Sequence, residues 1–147
     1  MKIKWLNIIF IASLVVLSAC SEKKSTKNKD TSNDRWYTQE QVKRGNILYK
    51  NNCAQCHKMD ASGHANAEQD FSAPALNGSE HAWHHPMSVL QRTVKYGGIP
   101  LGGTMPGFKN KLTNEEINDI FAWVQSHWPD QMYTLWSKRN TQSLKNK

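Results

Sequence analysis

Cys53-Ala54-Gln55-Cys56-His57 is the stretch that decides the fold. C-x-x-C-H is the spacing by which a c-type haem is attached to a chain. Two cysteines one helical turn apart can add to the two vinyl groups of one porphyrin. The histidine that follows offers its imidazole to the iron as the proximal ligand. Two other chemistries use similar spacing. A Cys53–Cys56 redox disulfide wants a thioredoxin-like βαβ setting, and the chain has no strand-like alternation to supply one. A zinc site needs further ligands, commonly a second C-x-x-C or an H-x-x-x-H cluster, and neither is present. One C-x-x-C-H predicts one covalent haem c.

The N-terminal end indicates the compartment. Lys2 and Lys4 precede an apolar run, Trp5 to Leu17, broken only by Asn7 and Ser13. That run is shorter than the roughly 20 residues of a membrane span and reads as the apolar part of an export signal. It ends in Leu17-Ser18-Ala19-Cys20, which is similar to a bacterial lipobox, where the signal is cut before the cysteine and the cysteine is acylated. An ordinary small-residue cleavage site would instead leave Cys20 as a free thiol in an oxidising space. The three cysteines then divide as Cys20 for lipid and Cys53 and Cys56 for haem. Several acyl chains on one residue hold a protein stably at a bilayer. Ser21, rather than Asp, after the cysteine favours the outer over the inner membrane in lipoproteins with this kind of signal. The expected location is thus a membrane-anchored lipoprotein facing the periplasm.

Charge and composition divide the chain further. The net charge is +7, but 35–137 is neutral by residue count, with the excess lying in the signal, in 21–34 and in the last ten residues. No basic stripe belongs to the folded part, so nucleic-acid binding is not expected. Ser21 to Asp34 holds no large apolar residue and reads as a tether. About 15 such residues average roughly 20 Å end to end. The resulting organisation is a signal at 1–19, a tether at 20–35, one domain at 36–138 and a basic disordered tail at 139–147.

The domain reads as all-α, with three to five helices and long loops. Thr38 and Gln41 form a capping box opening a helix with Val42, Gly45, Leu48 and Tyr49, which delivers Cys53. Pro86 suits a first helical position, followed by Met87, Leu90, Thr93 and Val94 until Gly97-Gly98. Thr113 and Glu116 form a second capping box ahead of Ile117, Ile120, Phe121, Trp123 and Val124, and Trp128-Pro129 ends that helix. Asp130 caps one further short turn with Met132, Leu135 and Trp136. The segments from His57 to His85 and from Gly97 to Leu112 are loops by their Gly, Pro, Ala and Asn content, and loops this long usually wrap something.

From Thr38 to Trp128 the chain resembles the class I c-type cytochromes. Arg44-Gly45-x-x-x-Tyr49-x-x-x-Cys53-x-x-Cys56-His57 matches that family's first helix and haem site in spacing. The resemblance implies that Gly45 and Tyr49 meet the last helix at Ile120 and Trp123. Ala73-Pro74-Ala75-Leu76-x-Gly78 is similar to the family's G-P-x-L-x-G segment, with Ala73 in place of the first glycine. Through it, the Pro74 carbonyl is implied to accept the Nδ1–H of His57, and Leu76 to line the cofactor. Gly103-Thr104-Met105-Pro106-Gly107 stands where the family places its thioether ligand, which makes Met105 the implied sixth ligand. Met59 is too near His57 to cross the ring, and Met87 and Met132 lie on apolar helix faces where methionine is filler. Trp83 is implied to donate to a haem propionate, with plain packing as the alternative.

His81, His84 and His85 have metal-ligand spacing but precede Pro86, which disfavours helix at His85. The expected function is a monomeric electron carrier, not an enzyme, with His/Met-ligated haem, docking transiently on redox partner proteins. The rival readings are a haem peroxidase or ligand sensor with a labile sixth ligand, and a copper-handling protein using the three histidines.

Overall fold

The computed structural model describes residues 34–64 and 73–146. The expected signal peptide, Cys20 and nearly all of the expected tether lie outside these residues, as does 65–72. The chain order is α1 (Gln39–Asn52), α2 (Ala54–His57), α3 (Met87–Tyr96), α4 (Asn114–Ser126) and α5 (Asp130–Lys145), with 3-10 turns at His81–His84 and Ile99–Leu101. No strand occurs among the described residues, only an isolated antiparallel bridge between His64 and Ala73. Among the described residues the fold is small and all-α, with five α-helices and long loops, as the sequence predicts. No described helix is long and apolar enough to cross a membrane.

Both capping boxes form as the sequence predicts. Thr38 and Gln41 exchange side-chain and backbone hydrogen bonds at the start of α1. Thr113 and Glu116 do the same for α4. Each box satisfies amide groups that a helix start otherwise leaves bare.

Helices α1 and α4 cross closely, and Gly45 is the reason they can. A Cβ there would overlap the Asp119 carbonyl oxygen and sit 3.0 Å from the Trp123 Cβ. One turn on, Tyr49 packs on Trp123 with ring centroids 4.2 Å apart. The neighbour at the crossing is therefore Asp119, where the sequence reading names Ile120; Ile120 is buried in the same core. Beside the crossing, the Arg44 guanidinium donates Nε to Asp119 Oδ2 at 2.7 Å and Nη2 to Oδ1 at 3.0 Å. This two-point pair closes the carboxylate of a residue whose side chain is 8% exposed.

Two expectations are corrected. Pro86 is the residue before α3, not its first helical position: its ψ of 159° is extended. The chain after Pro129 is not one turn and a disordered tail. It is a helix of 16 residues, α5, running through the stretch 139–147 as far as Lys145. Polar composition hides its anchors, which are few. Trp136 is 2% exposed and donates Nε1 to the His85 carbonyl at 3.0 Å. Asn140 Oδ1 accepts the Met87 amide at 2.9 Å. Arg139 Nη1 donates to the His84 carbonyl and to His84 Nδ1.

The start of the domain is latched to the α4–α5 corner. Arg35 donates to the carbonyls of Gln125 and Trp128 and to the Asp130 carboxylate, and lies 4.2 Å over the Tyr133 ring. Trp36 donates its indole N–H to Gln125 Oε1 at 2.6 Å and its amide to the Tyr133 hydroxyl.

Candidate functional site

Cys53 caps α1, its amide donating to the Tyr49 carbonyl, and α2 starts at the next residue. The His57 amide returns to the Cys53 carbonyl at 2.9 Å, so Cys53, Cys56 and His57 share one turn. Both thiols are free and half-buried. Burial, with the neighbouring Cys56, pushes the Cys53 thiol up to about 11 against a smaller opposing effect of Lys111. A buried thiol held protonated lacks the lowered pKa of redox-active cysteines. This disfavours a thioredoxin-like role. Among the described residues no cluster of three His, Cys, Asp or Glu is placed to hold a metal ion.

His57 is buried, and its Nδ1 lies 2.9 Å from the Pro74 carbonyl. Burial pulls its pKa below the ordinary histidine value, opposed by the Pro74 carbonyl and assisted by His64. The neutral imidazole so favoured, with Nδ1–H donating, keeps its lone pair on Nε2.

A clip of backbone bonds sets this pairing. Gly63 N donates to the His57 carbonyl, His64 N to Ala73 and Leu76 N to Ala61. Gly63 has a φ of +71°, and a Cβ there would sit 2.5 Å from the Ala73 carbonyl and 2.6 Å from Pro74. Glycine is thus what lets the two segments approach until Pro74 reaches His57. The clip is fastened on one side by the Tyr49 hydroxyl, which donates to the Lys58 carbonyl at 3.0 Å, and on the other by Trp128 Nε1, which donates to the Leu76 carbonyl at 2.7 Å. Leu76 packs partly buried against the hydrophobic core. Sequence reading misses Gly63: only its distance from Pro74 in space gives it meaning.

Met105 is partly buried on the loop between α3 and α4. Its carbonyl accepts the Gly98 amide at 2.9 Å, and Phe108 and Lys109 donate to the carbonyls of Val94 and Lys95. The loop therefore hangs from the C-terminal end of α3. Trp83 stacks on the His84 ring at 3.7 Å with Arg139 on the same cluster, so its visible role is packing. His81 and His85 meet edge to face at 5.9 Å, while His84 turns to Arg139. An arginine donating to His84 Nδ1 occupies one of the lone pairs a metal would need. Among the described residues the three histidines do not converge into a group that could hold a metal ion.

The donor set suits a covalently held iron porphyrin. Two free thiols and an oriented neutral imidazole share one turn, and a thioether stands on a separate loop. These are the features of a c-type cytochrome. The sequence model of the family "Cytochrome C oxidase, cbb3-type, subunit III" matches residues 40–124, more than half of the chain, and the chain belongs to that family. It is 30% identical over 108 residues to the cytochrome c subunit of a quinone alcohol dehydrogenase from Gluconobacter oxydans, covering 69% of this chain and 22% of that protein. It is 33% identical over 91 residues to the cbb3-type cytochrome c oxidase subunit FixP of Sinorhizobium medicae, covering 58% of this chain and 29% of that protein. The chain thus spans less than a third of either relative. No solved structure matches it significantly.

Proposed function

We propose that this chain is an electron carrier, tethered to a membrane through Cys20 and facing the periplasm. It would hold one haem c through Cys53 and Cys56, with His57 and Met105 as axial ligands. The observation that carries the reading is the His57–Pro74 pair: a buried imidazole fixed by a backbone carbonyl, directly after two free thiols in one turn. When bound, the haem supplies a one-electron Fe(II)/Fe(III) couple, and a thioether opposite histidine raises its potential.

The chain's own residues do the rest. Pro74 keeps the proton of His57 on Nδ1, and so keeps Nε2 available to iron in both redox states. Tyr49, Trp123 and Trp128 form a dry wall behind the His57 turn, all nearly unexposed. Met105 would hold the iron from the loop between α3 and α4 and would so keep oxygen or peroxide from it, which separates a carrier from a peroxidase or sensor. Both relatives are named as cytochrome subunits of redox enzymes, which favours a protein as electron donor or acceptor.

The test is Met105→Ala in haem-loaded protein. Haem should stay attached, since Cys53, Cys56 and His57 are untouched. The long-wavelength sulfur-to-iron(III) band should vanish, the potential should fall, and the reduced protein should bind carbon monoxide. Wild-type protein that lacks this band at neutral pH and binds carbon monoxide readily would replace the carrier by a sensor or peroxidase.

A further inference from the structure

Helix α5 lies beyond the residues that the family match covers, 40–124, and its polar side chains converge on one place. Asn140 Oδ1 accepts the Met87 amide, the first of α3. Trp136 Nε1 and Arg139 Nη1 donate to the carbonyls of His85 and His84, the residues that lead into α3. No side chain of α3's own preceding residue, Pro86, caps it. Asn140 therefore satisfies from α5 one of the amides that the start of α3 leaves bare.

The other end of α3 carries the Met105 loop, through Gly98 N to Met105 O, Phe108 N to Val94 O and Lys109 N to Lys95 O. Between the two ends, Gln91 Nε2 donates to Asn118 Oδ1 of α4 at 2.6 Å. Helix α3 has 10 residues, so it is a rod of about 15 Å pinned near its middle. A shift of about 1 Å at the end held by α5 would swing the Met105 end by a comparable amount, while functional constellations tolerate only about 0.5 Å.

We infer that Asn140, Arg139 and Trp136 of α5 are positioning residues for Met105, acting through α3 as a lever. The inference rests on the proposed role of Met105 as sixth ligand. Without the α5 contacts, haem attachment and His57 are unaffected, but the thioether detaches more often.

The experiment measures carbon monoxide capture by reduced, haem-loaded full-length protein, together with the sulfur-to-iron(III) band of the oxidised form. Asn140→Ala should raise the capture rate about fivefold, the change in open fraction matching loss of one net hydrogen bond. Asn140→Asp, which still accepts the Met87 amide, should restore the wild-type rate. Arg139→Ala, at an exposed position, should raise it about twofold. Arg44→Ala, which weakens the α1–α4 contact away from α3, should lower the melting temperature without raising the rate. If Asn140→Ala does not accumulate with haem, Arg139→Ala decides alone. A wild-type capture rate in Asn140→Ala or, failing that, in Arg139→Ala overturns the inference, as does an equal rise in Arg44→Ala. Wild-type protein without the band overturns the Met105 reading itself, a result distinct from unchanged α5 variants that keep the band.

Discussion

Replacing Gly45 by alanine sets two known effects against each other. In an isolated helix the change is favourable by about 1 kcal/mol, because alanine loses less backbone entropy. Here the new methyl carbon would overlap the Asp119 carbonyl oxygen and lie 2.5 Å from its carbon and 3.0 Å from the Trp123 Cβ. Two of those atoms are backbone, so no rotamer change relieves the clash. Helices α1 and α4 must separate. Overpacking of this kind costs about 1–3 kcal/mol. Loosening the Tyr49–Trp123 pair, now at 4.2 Å, adds a part of the roughly 0.5–1.5 kcal/mol such ring pairs contribute. Set against the propensity gain, the net loss is about 0.5–3 kcal/mol. At about 4–8 °C per kcal/mol for a small domain, the melting temperature should fall by roughly 2–24 °C. The assay is thermal unfolding of the haem-loaded protein followed by far-ultraviolet circular dichroism. A Gly45→Ala protein that melts at or above the wild-type temperature would show that propensity wins, and that the crossing is looser than the Gly45–Asp119 approach requires.

The ion pair beside that crossing should be asymmetric. Arg44→Ala leaves a nearly buried carboxylate without its partner and should cost more stability, by denaturant titration, than Asp119→Asn, which frees a half-exposed guanidinium to water. His85 has its pKa lowered by burial first, then by His81, His84 and Arg139. The unfolded chain therefore binds a proton before the folded one does, so stability should drop as pH falls below about 6.5. His85→Gln should make that drop shallower, and an equal fall in unfolding free energy between pH 7 and pH 5 in variant and wild type, by urea titration, would count against it. Intact mass of denatured protein, expressed with a haem-maturation system, should exceed the chain by one haem, and Cys53→Ala with Cys56→Ala should remove it. Cys20→Ser should release the protein from membranes or leave its signal uncleaved; a processed variant that still partitions to membranes would place the anchor elsewhere.

The parts of the fold written in local patterns were legible in the sequence. Two capping boxes, a C-x-x-C-H turn and a glycine–aromatic pair each lie within a few residues, and each forms where its residues stand. The Pro74 hydrogen bond to His57 was legible only through family resemblance, because 17 residues separate the partners. What could not be read depends on distant pairs. Helix α5 has polar composition and a low proportion of apolar residues, so its pattern suggests a tail. It is held by Trp136, Arg139 and Asn140, whose partners His85, His84 and Met87 lie about 50 residues away. Gly63 likewise looks like any loop glycine until Ala73 and Pro74 are seen against it. The histidines at 81, 84 and 85 show the reverse: a strong local spacing whose rings turn apart, His84 to Arg139 and Trp83 while His81 and His85 meet edge to face.

The Arg35 latch has a mechanical consequence. A pull on the chain ahead of Asp34 would meet Arg35 first, where donors to Gln125, Trp128 and Asp130 share the load in parallel. Trp36 adds two further bonds, to Gln125 and Tyr133, before the strain could reach α1. The load path therefore enters the α4–α5 corner before it reaches α1. Arg35 and Trp36 thus make the α4–α5 corner, rather than the first turn of α1, the anchorage of the domain's leading end.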